Sequence, residues 1–151
     1  MADLRPILLV EDNPRDLELT LAALAKCQLA NEIVIARDGA EALDYLYRRG
    51  PHAERPPLDP AVVLLDLKLP KIDGLEVLEK VKQDPQQRQV PVVMLTSSRE
   101  ERDLVRSYEL GVNAFVVKPV DFNAFFEAIQ DLGMFWAILN EPPPGGTWHG
   151  G

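Results

Sequence analysis

Five short apolar runs, each followed by a segment with helical spacing, constrain what this chain can fold into more than any other feature. They are residues 6–10 (PILLV), 32–36 (EIVIA), 61–65 (AVVLL), 91–95 (PVVML) and 113–117 (NAFVV). A strand with one wet face alternates apolar and polar residues. Near-continuous Val, Ile and Leu instead suit strands buried on both faces, as in parallel sheets. Between the runs, Leu17, Leu21 and Leu24 make one helical stripe, Ala42, Leu43 and Leu46 a second, and Leu75, Leu78 and Val81 a third. Asn13-Pro14 reads as an N-cap followed by proline in the first helical position, and Asp38 and Asp121 are further N-caps. Gly50 and Gly111 each close a periodic segment, as a C-terminal glycine does.

Alternating strands and helices imply α/β architecture, with helices on both faces of the sheet. Right-handed crossovers in a chain of 151 residues favour a flavodoxin-like doubly wound (βα)5 fold, whose central parallel five-stranded sheet has the order 2-1-3-4-5. One domain is expected over residues 1–140, followed by a flexible Pro/Gly tail at 141–151 (EPPPGGTWHGG). Residues 51–60 (PHAERPPLDP) carry four prolines and read as an ordered but irregular loop.

Composition removes whole classes of function. Sixteen Lys and Arg against 24 Asp and Glu leave a net charge of −8, which argues against nucleic acid as a partner. The single cysteine, Cys27, cannot form an internal disulfide; near the end of the first helical segment it reads as a small buried hydrophobe. The N-terminus has acids and only a five-residue apolar run, so neither a signal peptide nor a membrane span is expected, and the chain reads as cytoplasmic. His52 and His149 lie far apart and Cys27 has no partner ligand nearby, so a transition-metal site is not expected. No glycine-rich nucleotide loop and no nucleophile elbow is present.

In an open α/β sheet, ligands bind beyond the C-terminal strand ends at the switch point, here between the first and third strands. The first strand ends in Glu11-Asp12, the third in Asp66, the fourth in Thr96 and the fifth in Lys118. Three carboxylates in one place repel each other, so they either take up protons or recruit a cation. Mg²⁺ suits them, because it prefers oxygen ligands and keeps room for water and phosphate oxygens. Taken singly, Thr96 could instead cap the next helix, and Lys118 could be a surface lysine.

Four motifs in order, LLVEDN, VVLLDLKLPKIDG, VVMLTSS and FVVKP, make the chain closely resemble the receiver domains of two-component response regulators, from Ile7 to about Leu139. The resemblance implies that Asp66 is the phosphoacceptor. It further implies that Asp12 and Asp66 bind Mg²⁺ directly, with the Lys68 backbone carbonyl as a third protein ligand, Glu11 acting through water, and Mn²⁺ or Ca²⁺ as substitutes. Lys118 and the Thr96 hydroxyl then meet phosphoryl oxygens, and Phe115 is the switch aromatic that rotates with Thr96. Pro119 resembles the family's cis proline, and Gly74 permits close backbone approach. By the same resemblance, the three carboxylates, one Mg²⁺ and one ammonium cancel in charge before a phosphoryl group arrives. Positions 68 and 98, where this chain has Lys and Ser, influence phosphoryl lifetime in the family, and their chemistry varies.

As a receiver domain the chain is not an enzyme beyond catalysing its own phosphorylation and dephosphorylation. With no second domain in view, its output is contact with another, unknown protein or phosphoryl relay. DLKLPKIDGLEVL, the QDP turn and Met134-Phe135-Trp136 resemble the response regulators that serve phytochrome-type histidine kinases, which implies such a kinase as partner. A dehalogenase-type phosphatase would place its nucleophile in a D-x-D motif on the first strand, not on the third. A flavodoxin would need a phosphate-binding loop where Glu11-Asp12-Asn13-Pro14 stands.

The last helical segment is apolar over too wide an arc for one sheet. Phe125, Ile129, Leu132 and Trp136 form the sheet-facing stripe, extended by Leu139, while Phe122 and Phe126 widen it on one edge and Ala124, Ala128 and Phe135 on the other. The whole covers about 200°, roughly twice what packing on one sheet consumes. The surplus predicts an interface at Ala124, Ala128 and Phe135, and the family resemblance implies a homodimer through the fourth helical segment, fifth strand and fifth helical segment.

Overall fold

The computed structural model describes residues 5–27, 29, 31–56, 59–99, 101, 112 and 114–131. Its elements follow in the order β1 (Ile7–Val10), α1 (Pro14–Lys26), β2 (Ile33–Ala36), α2 (Gly39–Tyr47), β3 (Val62–Asp66), α3 (Gly74–Gln83), β4 (Val92–Thr96), β5 (Ala114–Val117) and α4 (Phe122–Asp131). The fourth helical segment of the sequence reading, with Gly111, and everything after Asp131 lie outside the described residues, so α4 here is the fifth segment of that reading. All strands pair in parallel in the order β2-β1-β3-β4-β5, as expected.

Burial explains the apolar runs. Ile7, Leu9, Val62, Leu64, Val93 and Leu95 project to one side of the sheet, where Leu17 and Leu24 of α1 and Phe125 and Ile129 of α4 cover them. Leu8, Val10, Val63, Leu65, Val92 and Met94 project to the other, under Leu43 and Leu46 of α2 and Val77, Leu78 and Val81 of α3. β1, β3 and β4 are buried throughout, and the edge strands β2 and β5 only in part. Among the described residues no helix is long and apolar enough to cross a membrane.

Caps fall where the sequence places them. Asn13 Oδ1 accepts from the amides of Arg15 and Asp16, Asp38 Oδ1 from Glu41, and Asp121 Oδ1 from Ala124. One glycine does not. Arg48, not Gly50, takes the left-handed turn that ends α2 (φ 53°), and Gly50 instead starts a single 3₁₀ turn, Gly50–His52. The proline-rich loop is tied down by Arg55, which donates to the carbonyls of Tyr45 and Leu46 at the end of α2 and lies 4.2 Å over the Tyr45 ring.

Ala128 corrects a second expectation. It is buried (3% exposed) in the same cluster as Phe125 and Ile129, so it faces the chain's own sheet and offers no interface surface. Ala124 is half-buried against that cluster, and Phe135 lies outside the described residues. On the opposite edge the exposed Phe122 stacks on the half-buried Phe126 with centroids 5.6 Å apart, and Val117 at the end of β5 is exposed as well.

Candidate functional site

The strand ends gather the residues singled out in the sequence. Asp66 and Thr96 are the last residues of β3 and β4, one position further into the ladder than the apolar runs alone suggest. Glu11 and Lys118 directly follow β1 and β5, each held by its own backbone: the Glu11 amide donates to the Ala36 carbonyl, and the Lys118 amide to that of Thr96. The Lys118–Pro119 bond is cis, as the resemblance implies. Gly74 opens α3 so close to the end of β3 that a Cβ would fall onto the Asp66 carbonyl oxygen and 2.7 Å from that of Leu67, so no larger residue fits this packing. The Gly74 amide donates to Leu67, fixing the loop behind Asp66.

Oxygen atoms of Glu11, Asp12 and Asp66 lie within 4.8 Å of one another, Glu11 and Asp66 buried and Asp12 exposed. A hard divalent cation with oxygen ligands fits this donor set, open to solvent on the Asp12 side. The Lys68 backbone stands against the cluster, its amide 3.4 Å from Asp66 Oδ1. Its ammonium points elsewhere, to Glu101 at 3.4 Å.

Lys118 is no surface lysine. Its side chain is 13% exposed, and its Nζ donates to Asp66 Oδ2 (2.9 Å), Glu11 Oε1 (3.0 Å) and Asp16 Oδ2 (3.0 Å). Burial works against its charge, yet the hydrogen bonds it gives to Asp66, Asp16 and Glu11 outweigh this and hold its pKa above the usual lysine value. Asp16 was missed in the sequence. The available signal was its place as the third residue of a helix that starts just after Glu11-Asp12, because helical side chains lean toward the N-terminus and so toward the strand end.

The helix-cap alternative for Thr96 also resolves. Ser98 does the capping: its Oγ accepts from the Glu101 amide while Glu101 Oε1 accepts from the Ser97 amide, a reciprocal pair. The fully buried Thr96 hydroxyl has no hydrogen-bond partner among the described residues, an expensive state for a group that can donate. Phe115 sits half-buried in β5 on the α2/α3 side of the sheet.

Burial, reinforced by the hydrogen bond to Asp66, raises the Glu11 carboxyl to about 8. Neutral Glu11 is therefore the favoured form at pH 6–7, and cation binding must displace its proton. Affinity for a divalent cation is expected to rise with pH through this range and level off above about 8, with proton release at neutral pH. Calorimetry in two buffers of different ionisation enthalpy reads that release directly. An affinity flat from pH 6 to 8 would contradict the raised carboxyl.

Comparison with known proteins agrees with this geometry. The family model described as the response regulator receiver domain matches residues 7–130. Response regulator Rcp1 of Synechocystis is 41% identical over 130 residues, covering 86% of this chain and 87% of that protein. The solved structure of the bacteriophytochrome response regulator AtBRR is 77% identical, covers 93% of this chain and 100% of its own, and superposes with a TM-score of 0.88. A crystal structure of the Mn²⁺-bound form of response regulator Rcp1 is 40% identical, covers 88% and 94%, and has a TM-score of 0.70.

Proposed function

The chain belongs to the response regulator receiver domain family, and from that membership we propose that it accepts a phosphoryl group on Asp66 from a histidine kinase and signals through the surface this alters. One observation carries the assignment: Asp66 ends β3 inside the carboxylate cluster with the largely covered ammonium of Lys118 2.9 Å from its Oδ2. The likeness to AtBRR, a bacteriophytochrome response regulator, favours a phytochrome-type kinase as donor.

Asp66 attacks phosphorus in line; an O–P bond forms as the P–N bond of the donor phosphohistidine breaks, and the imidazole leaves. A carboxylate is a weak nucleophile, so the work lies in positioning and charge neutralisation. Asp12, Asp66 and the Lys68 carbonyl, with Glu11 through water, are the groups to hold Mg²⁺, which supplies neutralisation of the phosphoryl oxygens. Lys118 transfers the donor it now gives to Asp66 Oδ2 onto a phosphoryl oxygen. Thr96 gains there the acceptor that its buried hydroxyl needs. As Thr96 moves toward the phosphoryl group, Phe115, opposite Met94 in the adjacent strand and two positions back from the Thr96 partner Val117, rotates into the space and changes the β5 surface. Turnover of other substrates is not part of this role, and the setting is cytoplasmic. Incubation with a small acyl phosphate and Mg²⁺ tests the reading: intact mass gains one phosphoryl group, and hydroxylamine removes it. An unlabelled wild-type protein would end it.

The reading includes a homodimer through the fourth helical segment, β5 and α4, its apolar contact carried by the Phe122–Phe126 edge of α4. A two-fold contact makes one substitution act twice. Phe122→Lys is expected to convert a micromolar dimer to monomer in sedimentation. A wild-type monomer at about 100 μM would reject the dimer, since so weak a contact holds only about 5 kcal/mol.

A further inference from the structure

Lys118 has three N–H donors, and all three are committed: to Asp66, to Glu11 and to Asp16. Asp16 is unlike the other two. It comes from the first turn of α1, its side chain is 32% exposed, and its oxygen is outside the Glu11, Asp12 and Asp66 group that can hold a cation. Its contact with Lys118 spans 102 residues of sequence and joins α1 to the end of β5. A first-turn acid also complements the helix dipole, but that role needs no lysine and leaves the side chain free to face solvent. Instead it reaches back over the site and takes one donor of the ammonium that is to meet the phosphoryl group.

The charge balance changes accordingly. Three carboxylates, one divalent cation and one ammonium cancel; the fourth carboxylate leaves the metal-bound site with one excess negative charge before any phosphoryl group arrives. We propose that Asp16 is a positioning residue of this site: it holds Lys118 from the solvent side and shares its charge, favouring the cation and restraining the phosphoryl group. The proposal rests on the phosphoacceptor reading of Asp66 and adds a residue that sets the order of events, metal first and phosphoryl second.

Opposite signs distinguish this from a structural role. Neutralising Asp16 leaves the Lys118 charge less opposed, so it repels a cation more and attracts an anion more. In Asp16→Asn, Mg²⁺ affinity is expected to fall and the rate of labelling by acyl phosphate at saturating Mg²⁺ to rise, each by roughly tenfold, the scale of one unit charge several ångströms away in a half-solvated site. Asp16→Glu, which keeps the charge, should restore both toward wild type. Asp16→Ser, a good residue for a first helical turn, repeats the Asn result if the amide itself perturbs folding. Metal affinity and labelling that fall together would show damage to the site, and values equal to wild type would make Asp16 a bystander; either overturns the proposal. If the wild-type protein takes no label, the phosphoacceptor reading fails, while an Mg²⁺ affinity unchanged in Asp16→Asn would separately refute the role of Asp16.

Discussion

Asp66→Asn is expected to take no phosphoryl group from acyl phosphate under conditions that label the wild-type protein fully. The substitution is nearly isosteric at a residue 4% exposed, and Asn can still accept from Lys118 through its amide oxygen, so the loop and the strand end stay in place. What is lost is the anionic oxygen, and a neutral amide does not attack phosphorus. Lys118 keeps Glu11 and Asp16 as acceptors, so the ammonium is not left unpaired in a buried position. Three other carboxylates are close, Glu11 and Asp12 in the cluster and Asp16 on the lysine, so any trace of label left once Asp66 is gone would fall on one of them. Peptide mass spectrometry separates these cases. Full labelling of Asp66→Asn, or a modified peptide from wild type without residue 66, would place the phosphoacceptor elsewhere.

The parts legible in the sequence are those in which one physical cause dominates. The runs at 6–10, 61–65 and 91–95 announced central strands because both of their faces are buried, and burial on both sides leaves no room for polar alternation. Asn13, Asp38 and Asp121 announced helix starts because a short polar side chain before an apolar stripe has one economical use, the free amides of the first turn. Glu11, Asp12, Asp66, Thr96 and Lys118 were legible because strand ends converge at a switch point whatever else the fold does.

The parts that escaped depend on which of several equivalent residues tertiary contact selects. Thr96 and Ser98 are both able to cap a helix; the strand ladder takes Thr96 into β4 and leaves the cap to Ser98. Gly50 looked like the helix stop, but Arg48 turns left-handed two residues earlier, and its amide and that of Arg49 take the last carbonyls of α2. Gly39 carried no sequence signal for its role. A Cβ there would fall onto the Ile72 carbonyl oxygen, so it lets the loop after Asp66 pack against the start of α2. Asp16 needed the helix start and the reach of Lys118 together; the Asn13-Pro14 start was legible, but the reach of Lys118 across the site was not.

The second large effect follows from the corrected place of Ala128. On a helical wheel it stands at the edge of the sheet-facing stripe, so Ala128→Glu reads there as a charge added to an interface. In the fold its side chain is 3% exposed among Phe125, Ile129 and the β-strand residues beneath them. A glutamate there brings an extra volume that a packed core does not hold, and a carboxylate that among these apolar neighbours finds no cation. Such a buried, unpaired charge costs about 3–5 kcal/mol, a large part of the stability of an ordinary domain. Ala128→Glu should therefore melt about 10 °C or more below wild type. Phe122→Lys should melt within about 2 °C of it at protein concentrations where both are monomeric, because its side chain stands at a surface with 37% exposure. Thermal melts of wild type and both variants, followed by fluorescence well below micromolar concentration, make the comparison. If instead Ala128→Glu melts with wild type and only weakens self-association, then Ala128 faces a partner, and α4 must sit on the sheet rotated from the packing described here.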